Sequence, residues 1–183
     1  MTVLEEFSTF GLQADAGLAA AIPGQARPSI TVVVPTLNEE KNVESVLTRI
    51  PHWVDEVIVV DGHSTDGTVD TVRRLVPRAR ILMQKGKGKG DALACGFEAA
   101  TCDIIVMLDA DGSTDPGEIP RFVAALCTGG DFAKGTRFIT GGGSADITTL
   151  RRLGNRALAA IVNRSWGVHY SDLCYGYNAF WRR

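Results

Sequence analysis

Short runs rich in β-branched residues alternate along this chain with amphipathic segments of helical period, and that alternation leaves few architectures open. Residues 30–34, Ile-Thr-Val-Val-Val, read as a strand buried on both faces, and residues 38–50 follow with Val43, Val46, Leu47 and Ile50 at helical spacing before Pro51. The pattern then repeats. Strands are expected over 56–60, 80–83, 103–108 and 132–138, and helices over 66–76, 90–100, 116–126 and 148–163. Such an order predicts an α/β fold, a mostly parallel sheet covered by helices on both faces. Ligands of these sheets gather at the carboxyl ends of the strands, so the residues just after each strand carry the functional interest. Here those segments are polar: Pro35-Thr36-Leu37-Asn38-Glu39, Asp61-Gly62-His63-Ser64 and Asp109-Ala110-Asp111.

A length of 183 residues suits one compact domain, and 45% hydrophobic with 22% charged residues is ordinary for a globular protein. Residues 1–28 are Ala/Gly-rich without sustained periodicity and read as a flexible N-terminal extension, leaving 29–183 as the folded domain. The net charge of -2 lacks the basic excess of a nucleic-acid binder, so nucleic acid is not an expected partner. No apolar run approaches the roughly 20 residues that cross a bilayer. Glu5 and Glu6 break the basic-then-apolar order of a signal peptide, which makes a cytoplasmic location the expectation. Cys95, Cys102, Cys127 and Cys174 are widely spaced, form no Cys-x-x-Cys pair, and read as reduced thiols.

Asp109 and Asp111 sit two apart after a strand, and in extended chain that spacing turns both carboxylates to one side. Paired hard oxygen ligands suit Mg²⁺ or Mn²⁺, particularly where a diphosphate completes the shell; a polar turn is the plainer alternative. An EF-hand fails, because its Gly and Glu positions hold Thr114 and Pro120. The run Lys85-Gly86-Lys87-Gly88-Lys89-Gly90 opens a helix with three positive charges but fits neither the dinucleotide fingerprint nor a phosphate-binding loop. Arg137, Arg151 and Arg152 form a second basic group, of a residue type suited to holding phosphate. His52, His63 and His169 are scattered and receive no role, and the aromatic cluster from Trp166 to Trp181 reads as packing.

Five segments taken in order resemble the family 2 glycosyltransferases of GT-A fold, especially the branch containing polyprenyl-phosphate (dolichyl-phosphate) mannose and glucose synthases. They are 34–39, the Asp61 to Thr68 run, 86–92, Asp109-Ala110-Asp111 and Gly135-Thr136-Arg137-Phe138. The resemblance implies a Rossmann-like three-layer α/β/α domain that inverts the anomeric centre while moving a hexose from a nucleotide sugar, of UDP-glucose or GDP-mannose type, to polyprenyl phosphate. It implies that Pro35, Leu37, Glu39, Val60, Asp61 and Ala110 border the nucleotide sugar. Asp109, Asp111 and Ser113 would hold the Mg²⁺ or Mn²⁺. Arg137, Arg151 and Asn155 would serve the acceptor phosphate, and Asp172 would stand as the acceptor-side acid, a general base for an alcohol acceptor. A polyprenyl-phosphate acceptor adds peripheral attachment at the inner face of the membrane.

Similar catalytic domains continue further, so the resemblance also marks 29–183 as a catalytic domain cut short at its C-terminus. Two other readings stay open: a nucleotide-sugar-binding domain without turnover, and a sugar nucleotidyltransferase. The latter would carry a Gly-rich, Arg/Lys-containing loop after the first strand, where this chain has Pro35-Thr36-Leu37-Asn38-Glu39.

Overall fold

A computed structural model describes residues 27–136, 149–167 and 170–183. The expected alternation is realised as β1 (Ile30–Thr36), α1 (Val43–Leu47), β2 (Glu56–Asp61), α2 (Thr68–Leu75), β3 (Arg80–Met83), α3 (Lys89–Ala99), β4 (Ile104–Met107), a 3-10 turn (Pro116–Glu118), α4 (Ile119–Cys127), β5 (Phe132–Lys134), α5 (Thr149–Trp166) and β6 (Asn178–Trp181). The six strands form one sheet in the order β3-β2-β1-β4-β6-β5. Strands β1 to β4 run parallel, and β6 inserts antiparallel between β4 and β5.

Period-2 alternation in the strands divides the core into two layers. Val32, Val34, Val57, Val59, Ile104 and Val106 face one side, where α1, α2 and α4 bring Val43, Val46, Leu47, Val72, Ile119, Phe122, Val123 and Leu126. Val33, Ile58, Val60 and Ile105 face the other, against Ala92, Leu93 and Phe97 of α3. Helix α3 lies close to the sheet because Gly96 has no side chain there; a Cβ would come 3.2 Å from Val60 Cγ2. Each fully buried Val or Ile contributes about 1.5–3 kcal/mol of transfer free energy, so the paired layers dominate stability. The α/β class expected from the sequence is thus realised as a mixed sheet of mostly parallel strands.

Three expectations need correction. The helix expected over 38–50 is only Val43–Leu47, because Asn38 adopts a left-handed φ of 55° and residues 38–40 bond to the loop after β2 instead of to a helical turn. The strand expected over 132–138 is confined to Phe132–Lys134 in the described residues, with 137 and 138 outside them. The C-terminal aromatic run, read as packing alone, contains β6. Its Tyr177, Ala179 and Trp181 join one core layer and Phe180 the other, a strand alternation masked by bulky side chains.

The end of the sheet away from the strand carboxyl ends is stapled by carboxylates. Burial opposes ionisation of Glu56, but hydrogen bonds from Thr31, Thr101 and Arg80 together outweigh it and hold its pKa below the ordinary value. Asp103 is likewise held low, chiefly by the Ser29 backbone N–H and then the Ser29 hydroxyl. A carboxyl whose folded pKa is depressed contributes stability that is present above its unfolded pKa and is lost as pH falls through the folded value. The thermal midpoint is therefore expected to hold from neutral pH down to about 5 and to fall steeply below roughly 4. Glu56→Gln should flatten that acid limb, which a pH series of melting curves checks.

Candidate active site

Strand order reverses between β1 and β4, so their carboxyl ends open a crevice of the kind that binds ligands in α/β sheets. The loops after β1, β2 and β4 all reach this rim.

The first two loops are laced together. Asp61, fully buried at the end of β2, accepts hydrogen bonds from Thr36 Oγ1 (3.1 Å), Ser64 N–H (2.7 Å) and Ser64 Oγ (2.6 Å). Asn38 N–H donates to Ser64 Oγ (2.8 Å) while Asn38 Oδ1 accepts from Thr65 N–H (2.8 Å). Glu39 N–H donates to Thr68 Oγ1 (2.9 Å), and Gly67 N–H donates to Glu40 (3.1 Å). Asp66 receives Thr68 Oγ1 and Thr68 N–H, and the hydroxyl bond foremost lowers its pKa. This lattice fixes a rim on which Leu37 stands 56% exposed and Pro35 and Glu39 are half-buried. Val60 is wholly enclosed in the α3-side core and Ala110 is buried, so any ligand contact at these two comes from the main chain.

The third loop carries the acidic pair. Strand β4 ends at Met107, and by Ala110-Asp111 the chain is already turning, with Gly112 at a φ of 79°. The extended spacing expected to align the two carboxylates is thus replaced by a tight turn. Asp111 is exposed, and its Oδ1 accepts from Ser113 N–H (2.9 Å). Asp109 is largely shielded and pairs with the Lys89 ammonium at the start of α3. The Asp109 main-chain oxygen is held by Thr114 Oγ1 (3.2 Å).

A fourth segment, just before β6, closes over this turn. Tyr175 donates its hydroxyl to Ser113 O (3.1 Å) and Tyr177 its hydroxyl to Asp115 O (3.0 Å). Tyr177 is buried and stacked on Phe122 at 4.1 Å, and burial foremost raises its pKa, so it stays a neutral donor. Between the tyrosines, Gly176 lies against the Asp109 carboxyl: a Cβ there would sit 2.8 Å from Asp109 Cγ. Asp172 is buried and accepts through Oδ1 from Cys174 N–H (3.1 Å) and Tyr175 N–H (3.2 Å). Asn155, buried on α5, donates to Ser171 O (3.3 Å) and accepts from Leu173 N–H (3.0 Å) and Cys174 N–H (3.2 Å). The structure thus brings Asp109, Asp111 and Ser113 together with the β1 and β2 loops, and uses Asp172 and Asn155 to shape the 171–174 turn. Arg137 lies outside the described residues, and Arg151 is placed only as a position in the first turn of α5.

Two participants escaped the sequence reading. Lys89 was legible only as one of three loop lysines, and Gly176 only as a glycine between aromatics. Among the described residues no group of three or more His, Cys, Asp or Glu is assembled for a metal. The donor set at the turn is two carboxylates and a hydroxyl, hard oxygens that suit Mg²⁺ or Mn²⁺ provided a ligand such as a diphosphate supplies the remainder. That a cationic ammonium already rests on Asp109 shows the position accepts positive charge.

The family model described as Glycosyl transferase family 2 matches residues 31–183. An uncharacterized glycosyltransferase of Mycobacterium tuberculosis is 40% identical over 112 residues, covering 61% of this chain and 50% of that protein. The polyprenol monophosphomannose synthase of Mycolicibacterium smegmatis is 31% identical over 172 residues, covering 87% of this chain and 65% of the relative. Among solved structures, glucosyl-3-phosphoglycerate synthase of M. tuberculosis superposes with a TM-score of 0.73 at 29% identity, over 94% of this chain and 63% of that one. The same enzyme in complex with Mn²⁺, UDP-glucose and phosphoglyceric acid superposes at 0.67, with 30% identity over 90% of this chain and 60% of that one. The chain spans about half the length of the first of these curated relatives.

Proposed function

Because the chain belongs to glycosyl transferase family 2, we propose that it moves a hexosyl group from a nucleoside-diphosphate sugar to a polyprenyl-phosphate acceptor with a divalent ion at Asp109 and Asp111. The observation that carries this reading is the acidic turn after β4, seated at the strand-order reversal beside a rigidly cross-bonded rim. Relatives named for polyprenol and undecaprenyl-phosphate mannosyl transfer support the acceptor, and the related Mn²⁺–UDP-glucose complex supports the donor and the ion.

In this reading the rim formed by Pro35, Leu37, Glu39, Asp61 and the Val60 and Ala110 main chain borders the base and ribose. Leu37 offers its exposed side chain as an apolar platform. Asp109, Asp111 and Ser113 hold the Mg²⁺ or Mn²⁺, which when bound neutralises charge developing on the departing nucleoside diphosphate. The 171–177 segment presses on the same turn from the acceptor side, so acceptor binding and donor geometry share one wall.

The Asp172 environment bears on the acceptor. Its Oδ1 is spent on two main-chain N–H groups of its own turn, an arrangement that shapes the loop rather than leaving that oxygen open to take a proton. A phosphate acceptor is already ionised near neutrality and needs orientation more than deprotonation. Arg137 and Arg151 are the cations proposed to orient it, through their planar paired donors. Peripheral attachment to the cytoplasmic face of a membrane follows from such an acceptor; no helix among the described residues is long and apolar enough to cross one.

A donor panel tests the proposal. Protein is incubated with Mn²⁺, polyprenyl phosphate and either UDP-glucose or GDP-mannose, and both nucleotide release and lipid-linked sugar are measured. Transfer from one donor, dependent on both metal and lipid, is expected. Metal-dependent nucleotide binding without transfer would reduce the reading to donor binding, and pyrophosphate release from a nucleoside triphosphate would replace it with nucleotidyl transfer.

A further inference from the structure

We propose that Lys89 is a latch on the metal site: its ammonium holds the Asp109 carboxyl until ligands bind, and metal and nucleotide enter cooperatively because each takes one half of that pair. This rests on the metal reading of Asp109. The Lys89 side chain is 50% exposed and that of Asp109 only 17%, so a half-solvated cation covers a carboxylate that is mostly walled in. The wall opposite is Gly176, packed directly on the carboxyl group. A divalent ion and an ammonium on the same carboxyl group compete, since two positive charges at close range repel.

Metal arriving alone must therefore drive Lys89 into water, losing its charge-assisted bond. A nucleoside diphosphate arriving alone meets a site whose carboxylates repel it and whose Lys89 ammonium is already engaged. Arriving together, the ion takes Asp109 and the diphosphate takes the released ammonium, so every charge stays paired. The coupling is reciprocal: metal strengthens nucleotide binding by the same factor that nucleotide strengthens metal binding. The neighbouring lysines differ in placement. Lys85 stands 3.9 Å from Glu98, and Lys87 is exposed on the loop. Loss of charge at Lys87 therefore serves as a control for bulk electrostatics.

Mn²⁺ binding to the full chain, read from the free-ion paramagnetic resonance signal with and without UDP or GDP, tests the latch. Lys89→Met should bind Mn²⁺ alone about tenfold more tightly than the wild type and lose most of the metal–nucleotide coupling. Lys89→Arg, which keeps the charge, should stay within about threefold of wild type, and Lys87→Met within about twofold, since both keep the Lys89-position cation on Asp109. Equal Mn²⁺ affinity in wild type and Lys89→Met, or an equal gain in Lys87→Met, overturns the latch while metal–nucleotide binding in the wild type still upholds the site. Absence of Mn²⁺ binding in every protein even with nucleotide overturns the metal reading and the latch with it.

Discussion

Asp111→Asn is expected to cut metal-dependent donor turnover by at least about a hundredfold, the scale on which removal of one electrostatic stabiliser acts, and to leave the melting temperature unchanged. The two halves of that expectation have separate causes. Asp111 is exposed, and its hydrogen bond within the protein is one accepted from Ser113 N–H, which an asparagine oxygen also accepts. What the substitution removes is a full negative charge at the proposed ion position, beside Asp109 and Ser113. Turnover with Mn²⁺ and the preferred donor, set beside a melting curve, checks both. Equal activity in the two proteins would remove Asp111 from metal binding.

Gly176→Ala is expected to damage function and stability together. The added Cβ would stand 2.8 Å from Asp109 Cγ, well inside contact distance, and the carboxyl has little freedom because Lys89 holds its other side. Relief requires either rotating Asp109 away from the proposed ion position or lifting the 171–177 segment. Lifting the segment strains the Tyr175 and Tyr177 hydroxyl bonds to Ser113 and Asp115. Overpacking of this kind costs about 1–3 kcal/mol, so a lower melting temperature and at least a tenfold loss of turnover are expected, since small displacements of a catalytic group carry such costs. A Gly176→Ala protein with wild-type Mn²⁺ affinity and stability would show that the segment does not press on the acidic turn.

Contrast between these two positions shows how much was legible beforehand. Asp111 announces itself, because carboxylates spaced by one residue after a β-branched run are a local signal. Gly176 does not, because its importance arises from a neighbour 67 positions earlier, given the numbering of Asp109 and Gly176. Lys89 lies between these cases: its charge was visible, its partner was not. The short α1 has the same origin, since Asn38 and Glu40 spend their polar groups on the loop after β2 rather than on a helix start.

The alternating periods of the chain determined the α/β class, the parallel strands β1 to β4, the helices between them and the placing of an acidic pair at a strand end, because each depends on residues adjacent in sequence. Tertiary structure alone decided that β6 runs antiparallel between β4 and β5, that Gly176 meets Asp109, and that Lys89 covers the same carboxyl. Those contacts join segments tens of residues apart. Their energy comes from packing and charge pairing that exist only once the sheet has brought the loops to one rim.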